Sequence, residues 1–373
     1  MPKLKPQNEI VSNWPAGETE PTVVVRCLVY NHGQFIERCL QGFLMQETDF
    51  PFEVYIHDDA STDGSADIIR WYADRYPRIM KPVCETENQW SKGSGHFHKI
   101  TWAPVLRGGH KYIALCEGDD YWTDPKKLQK QVEYMEGHPE CAMSFHERMK
   151  CDAEGRIIAG TELPQEIRRL QTWESLMDVH RRVYCPPTCT TMWRKEVLMD
   201  RPEWMNKVKS GGDFITAFWA AYAHGTVDWV EGVKPSVYRI HAGGVHRGLP
   251  LPRQMMMEHM DHQVILEHFP IPKAIRRENH LSWEKETFRA WRLWHASESE
   301  EIRRALRALI KYDVASWPAL RWRLWARQVG YWLNQGRWRV WHVLVMGIKR
   351  VLPTGMYERG RRLLRKGDFG GGT

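Results

Sequence analysis

The stretch "TVVVRCLVY" (22–30) constrains the fold more than any other part of the 373-residue chain. It is a continuous apolar run rich in β-branched residues, broken only by Arg26, and so reads as a strand buried on both faces. After "NHGQ", Phe35, Ile36, Cys39, Leu40, Phe43 and Leu44 recur at helical spacing. "FEVYIH" (52–57) reads as a second strand, and "DDASTDGS" (58–65) as a turn-rich loop before a helix carrying Ile68, Ile69 and Tyr72. "KYIALC" (111–116) and "CAMSF" (141–145) are further strands. Between them "DPKKLQKQVEYMEGHP" reads as a helix with Pro125 in its first turn, Gly137 near its end and Asp124 as its N-cap. Strands alternating with helices predict an α/β fold, a mostly parallel sheet covered on both faces.

Ligands of such sheets bind beyond the carboxyl ends of the strands. Two acidic clusters fall there: Asp58 and Asp59 after the second strand, and Glu117, Asp119 and Asp120 in "CEGDDYWTDP" after the strand ending at Cys116. Crowded carboxylates repel one another unless something relieves them. Mg²⁺ or Mn²⁺, bridging carboxylates to substrate phosphates, would do so. A plain turn capping the next helix is the competing reading, but Glu117 and Asp119 lie too early to cap it. Further on, "SGGDFITAFWAAYAHG" (210–225) places Asp213 before an apolar helix ending at Gly225, where by itself it reads as an N-cap. "GHFHK" (95–99) holds a His-x-His pair with no third ligand at zinc spacing, and reads as a loop.

Composition separates two regions. The formal charge is +7, yet the segment from Glu301 onward holds 16 Lys/Arg against 4 Asp/Glu, leaving the first 300 residues net acidic. Nine of the 19 tryptophans fall between residues 283 and 341. Trp338, Trp341, Val345, Ile348 and Leu352 form a helical stripe, and Arg323, Arg327, Asn334 and Arg337 group on one side of the preceding segment, away from Trp317, Leu320, Leu324 and Tyr331. Tryptophan flanked by basic residues suits an interfacial helix on anionic lipid; packing against the rest of the protein is the alternative. No nucleic-acid-binding fold accompanies the basic residues. No window holds the ~18 apolar residues of a membrane span. The first 21 residues are polar and punctuated by proline, unlike a secretory leader. The eight scattered cysteines, with no Cys-x-x-Cys, read as reduced thiols in a cytosolic protein.

The succession "VVVRCLVYNHGQFIERCL", "EVYIHDDASTDGSADII" and "GGHKYIALCEGDDYWTDPKKLQKQVEYM" resembles the inverting family 2 glycosyltransferases, across roughly residues 22–245. The resemblance implies a GT-A fold, a Rossmann-like, mostly parallel sheet, here with a C-terminal helical extension. It divides the chain into an N-terminal extension (1–20), a catalytic domain (21–250) and a basic, Trp-rich helical region (251–373). By the same resemblance Asp59 reads the nucleotide base, favouring UDP or dTDP, while Tyr30 and Asn31 line the nucleoside. Thr62 and Asp63 shape the loop. The family's Asp-x-Asp metal motif falls on Glu117-Gly118-Asp119, with Glu replacing the first Asp. Asp119 is then the metal ligand, Glu117 a ribose or nucleotide contact, and Asp120 an adjacent candidate. The catalytic base falls on Asp213, with Gly212 in place of a preceding acid. "YRIHAGGVH" (238–246) returns to the diphosphate, with His241 as a further metal ligand and Arg239 and His246 as weaker candidates. Cys185 and Cys189 fall in the expected acceptor loop without acting as nucleophiles. The implied enzyme uses Mn²⁺ or Mg²⁺ to move a sugar from a nucleotide-sugar donor to a glycan or lipid-linked acceptor, at the cytoplasmic membrane face. A non-catalytic nucleotide-sugar-binding scaffold of the same fold is the alternative.

Overall fold

The structure, a computed structural model, describes residues 4–168, 172–177, 186–207, 212–244, 260–261, 263–296 and scattered positions between 300 and 327. The chain divides into two compact units, Met1–Asn279 and His280–Thr373.

The first unit is built on a seven-stranded sheet. Its strands are β1 (Val23–Val29), β2 (Phe52–Asp58), β3 (Met80–Cys84), β4 (Tyr112–Leu115), β5 (Cys141–Phe145), β8 (Met192–Arg194) and β9 (Thr226–Trp229), in the order β3-β2-β1-β4-β8-β5-β9. All neighbours are parallel except β8, which runs antiparallel to both β4 and β5. Strand β1 sits inside the sheet, as its apolar run requires. Its Val23, Val25, Cys27 and Val29 join the main core with Ile36, Cys39, Leu40, Phe43 and Leu44 of the helix Ile36–Leu44. The alternate residues of β1 face the opposite side of the sheet. Ile10 and Trp14 from the N-terminal segment pack into the same core, and the Trp14 indole donates to Thr48.

A second, three-stranded sheet is made of β6 (Arg148–Cys151), β7 (Ile157–Ile158) and β10 (Ser236–Arg239), with β6 central. It is tied to the acidic loop by an isolated bridge between Tyr121 and Val237. Neither this sheet, nor β3, nor the antiparallel β8 stands out in the sequence, because each strand is short and lacks a sustained apolar run.

Two local readings need correction, and a third holds. The helix over Lys127–Gly137 starts after Lys126 rather than from an Asp124 cap. Asp124 is buried instead, accepting the Lys126 amide on Oδ1 and the Lys234 amide and Lys130 ammonium on Oδ2. It joins two segments, which a simple cap would not do. The "GHFHK" stretch lies in a helix, Ser94–Trp102, where residues two apart point in different directions. His96 accordingly meets Gln89 at 3.0 Å. The apolar segment after Asp213 is a helix, Gly212–Ala223, followed by Gly225 at φ 141°. A Cβ at Gly225 would stand 2.0 Å from the Glu140 carbonyl oxygen, so no larger residue fits where this chain enters β9.

In the second unit, Glu284 of the helix Lys273–Ala296 is buried and accepts Arg323 and Arg327, each at 2.6 Å. Leu320 and Leu324 are buried as well. Two arginines of the face expected to meet lipid are therefore engaged by protein. The stripe from Trp338 to Leu352, with Trp317, Tyr331, Asn334 and Arg337, lies outside the described residues. Among the described residues no helix is long and apolar enough to cross a membrane.

Candidate active site

The site is assembled at the exits of β1, β2 and β4. Pairing between β1 and the segment after β4 continues past the strand: Cys116 donates to the Arg26 carbonyl and Gly118 to that of Leu28. This lays Glu117-Gly118-Asp119 alongside the end of β1. Gly118 is required there, since a Cβ would lie 2.9 Å from Val29 Cγ2, 3.0 Å from His32 Nδ1 and 3.1 Å from Ile36 Cδ1.

The loops leaving β1 and β2 are laced together. Ser61 accepts the Asn31 amide, Asn31 Oδ1 accepts the Thr62 amide, Ser65 accepts the His32 amide, and Asp63 accepts the Gly33 amide at 2.7 Å. Asn31 takes the left-handed conformation, φ 55°, which asparagine tolerates better than most residues. Thr62 and Asp63 thus serve the loop. Tyr30 stands half-exposed beside it. Asp59, whose amide donates to the Val29 carbonyl, is buried, and its two carboxylate oxygens accept the Gln89 and Trp90 amides at 2.6 and 3.1 Å. It anchors the loop after β3, and each oxygen keeps a further lone pair.

His241 comes from far along the chain through the second sheet. Just before it, the Arg239 amide donates to Asp120 Oδ1 at 2.9 Å and the Ile240 amide to the Cys151 carbonyl. The Arg239 guanidinium donates to the carbonyls of Asp119, Asp152 and Ala153 and lies over the Phe35 ring. Buried and engaged in this way, Arg239 is a strut rather than a phosphate contact. His246 and Cys185 lie outside the described residues. Cys189 is buried, with its thiol held in the protonated form by burial and by the charge of Asp120.

The result is a three-residue cluster. His241 Nε2 lies 2.9 Å from Asp119 Oδ2, and His32 Nε2 lies 4.0 Å from the same oxygen. Ligand atoms of His32, Asp119 and His241 all fall within 4.8 Å of one another. Burial opposes ionisation of Asp119, but the hydrogen bond from His241 and the proximity of both imidazoles hold its carboxyl below the ordinary value. Burial depresses His32, and its Nδ1 is buried without a hydrogen-bond partner. One carboxylate and two imidazoles fit a divalent cation, and suit Mn²⁺ better than Mg²⁺, which prefers oxygen ligands alone. His32 is the residue that sequence reasoning missed. It lies within "NHGQ", where nothing but its place at a strand exit distinguishes it.

Glu117 accepts the Leu28 amide, and burial pushes its carboxyl up to about 7 against the attraction of Arg26. Asp119 and, more weakly, Asp213 raise it further, so Asp213 lies within electrostatic reach of Glu117. Asp213 is exposed in the first turn of its helix, accepting the Phe214 amide on Oδ1 and the Thr188 hydroxyl on Oδ2 at 3.1 Å. A carboxylate open to solvent and oriented by a hydroxyl can take a proton from an incoming alcohol.

Among known sequences, the model of the family described as "Glycosyl transferase family 2" matches residues 25–198. Residues 25–198 therefore resemble a family 2 glycosyltransferase domain. The chain is 48% identical over 117 residues to the uncharacterized protein Rv1520 of Mycobacterium tuberculosis, covering 31% of this chain and 32% of that one. It is 32% identical over 135 residues to the putative teichuronic acid biosynthesis glycosyltransferase TuaG of Bacillus subtilis, covering 36% and 48%. The chain thus spans between a third and a half of the length of these curated relatives. Among solved structures, the mannosyltransferase PcManGT of Pyrobaculum calidifontis, in complex with GDP-Man and Mn²⁺, shares the GT-A fold of this chain. It aligns at TM-score 0.50 and 18% identity, over 83% of this chain and 86% of that one.

Proposed function

We propose that the protein is a metal-dependent inverting glycosyltransferase, using a UDP- or dTDP-linked donor and a glycan or lipid-linked acceptor. The observation that carries this reading is the meeting of His32, Asp119 and His241 at the strand exits, with Asp213 in electrostatic reach of Glu117. Asp119, His241 and His32 would hold Mn²⁺ or Mg²⁺, which when bound neutralises the departing nucleoside diphosphate. Asp213, oriented by Thr188, takes the acceptor hydroxyl's proton as that oxygen attacks the anomeric carbon from the side opposite the diphosphate. A single base and one in-line displacement turn an α-linked donor into a β-linked product. Tyr30 and Asn31 flank the nucleoside, Glu117 contacts the nucleotide, and Asp59 accepts the base N–H with a lone pair left free by the Gln89 and Trp90 amides. The name of the relative TuaG, which places it in the biosynthesis of a glycan polymer, supports an acceptor of that class. The catalytic domain takes residues 21–250, and the basic C-terminal region holds the enzyme on the cytoplasmic membrane face.

The test is calorimetric titration with UDP, dTDP, GDP and CDP, each with and without Mn²⁺. Metal-dependent binding of UDP or dTDP, lost in Asp119→Ala, is expected. Binding that ignores Mn²⁺ would refute the metal reading. Sedimentation with anionic vesicles, unchanged when the chain is truncated after residue 312, would refute the membrane reading.

A further inference from the structure

Four buried polar nitrogens gather on the face of the sheet that carries Glu117, and none has a partner. Arg26 belongs to the alternate residues of β1 and is buried under the helix Ser94–Trp102. Its Nη2 donates to Thr101 at 2.9 Å and its guanidinium lies 4.3 Å from the centre of the Trp102 ring, yet its Nε has no acceptor. His98 Nδ1 and Trp102 Nε1, one turn apart on that helix, are also buried without partners. So is Nε of Arg201, which immediately precedes the turn Glu203–Lys207 packed against the same helix. Neither Arg26 nor Arg201 has a carboxylate within ion-pair distance among the described residues.

The electrostatics identify these groups as neighbours. After burial, the charge of Arg26 is what lowers Arg201, to about 10, and both arginines help drive His98 down to about 4. Two guanidinium groups crowded together out of water, with orphan N–H groups beside them, are strongly unfavourable unless an anion completes the set. Glu117 is the one carboxylate whose charge Arg26 feels, and it lies on the backbone segment that supplies Asp119. Asp119 and Asp213 act on Glu117 as well. If the diphosphate is held at Asp119 and the base is Asp213, the transferred sugar lies between those two residues, and Glu117, which feels both of them and Arg26, links that place to the arginines.

We infer that Arg26, Arg201, His98 and Trp102 form a pocket for a carboxylate on the transferred sugar, so that the donor is a nucleotide-linked hexuronate. A planar carboxylate matches the forked guanidinium donors, and the diphosphate already has its own place at the metal cluster. This inference rests on the donor-site reading above and adds the sugar to it.

The experiment compares, in the full chain with Mn²⁺, the affinities of UDP, UDP-glucose and UDP-glucuronate, with GDP, GDP-mannose and GDP-mannuronate as a second series. The uronate is expected to bind about 10- to 100-fold tighter than its neutral counterpart, the range of one or two charge-assisted hydrogen bonds. Arg201→Gln should bring that ratio close to one, with the affinity for the bare nucleotide as the check that the rest of the site stands. Arg201 is the variant of choice because it is only partly buried, whereas truncating Arg26 in the sheet centre endangers folding. A lowered melting temperature with an unchanged ratio would make the cluster structural. Equal affinity for acidic and neutral sugars in the wild type overturns the pocket and leaves the donor site intact. Failure to bind either nucleotide overturns the donor site, and the pocket with it.

Discussion

Lys127 offers a test of the electrostatics in which a number can be worked through. It is fully buried at the start of the helix after the acidic loop, donating to Gln131 Oε1 at 2.6 Å and lying 4.2 Å from the centre of the Trp122 ring. Burial depresses its pKa from 10.5 to about 7, outweighing the nearby Cys116, Cys189 and Asp124. Between pH 7 and 10.5 the unfolded chain therefore holds one more proton at this residue than the folded chain. Stability must rise with pH across that window, by about 1.4 kcal/mol per unit. Below pH 7 both states are charged, and the folded state carries the whole penalty, about 5 kcal/mol at most. Lys127→Met removes the charge at nearly constant volume. It also strips one partner from Gln131, at a cost of about 1–3 kcal/mol that does not vary with pH. The informative quantity is consequently the slope. In urea unfolding of both proteins at pH 7, 8 and 9, the wild type should gain about 2–3 kcal/mol on the mutant across the series. Parallel stability curves would refute the argument, whatever the absolute difference between the two proteins.

Three further outcomes are expected. Asp213→Asn should lower turnover by about 100- to 10,000-fold with an unchanged melting temperature, and Thr188→Val by a smaller factor; a mutant that turns over at the wild-type rate removes Asp213 from the chemistry. Gly118→Ala, whose new methyl would press on Val29, His32 and Ile36, should cost about 1–3 kcal/mol in denaturant unfolding and weaken Mn²⁺ binding followed by electron paramagnetic resonance. Unaltered Mn²⁺ affinity there would separate His32 from the metal. Glu284→Gln should destabilise the chain by about 1–3 kcal/mol in the same unfolding assay, because a buried carboxylate gives up its bonds to Arg323 and Arg327; no change would mean that the half-exposed arginines regain as much from water.

The sheet was legible where its strands were long and apolar. β1, β2, β4 and β5 all read directly, because burial on both faces leaves a continuous apolar signature. β8 and the second sheet did not, since their two to four residues lack the continuous apolar run that marks the equally short β4. That loss matters for the site, because β10 is what carries His241 to Asp119. The resemblance supplied His241 as a candidate, but only the pairing of β10 with β6 and the Arg239–Asp120 bond give the physical reason it arrives. His32 was illegible for a different reason. A histidine in a loop is recognisable as a ligand only when its partners are known, and those lie on two other segments of the chain. Arg26 was in plain view, a guanidinium inside a run of valines, and its oddity points to the pocket proposed here.

The crowding of Glu117, Asp119 and Asp120 is resolved by giving each carboxyl a different environment. Asp120 is buried against the Arg239 amide, where burial and then the adjacent charge of Asp119 push its carboxyl well above its ordinary value, and it braces the second sheet. Glu117 turns under the loop to the Leu28 amide, its carboxyl raised to about 7, beside the charge of Arg26. Asp119 alone is held in its ionised form, by the two imidazoles. Of the three neighbouring acids, Asp119 is thus the one held below its ordinary value, at the place where a cation and a diphosphate would meet. Repulsion within the triplet is eased by the raised carboxyls of Glu117 and Asp120 and by their separate partners, so the loop can keep its shape before any cation arrives. The cation's task is then confined to the substrate, and the protein's to holding one carboxylate and two imidazoles within reach of it.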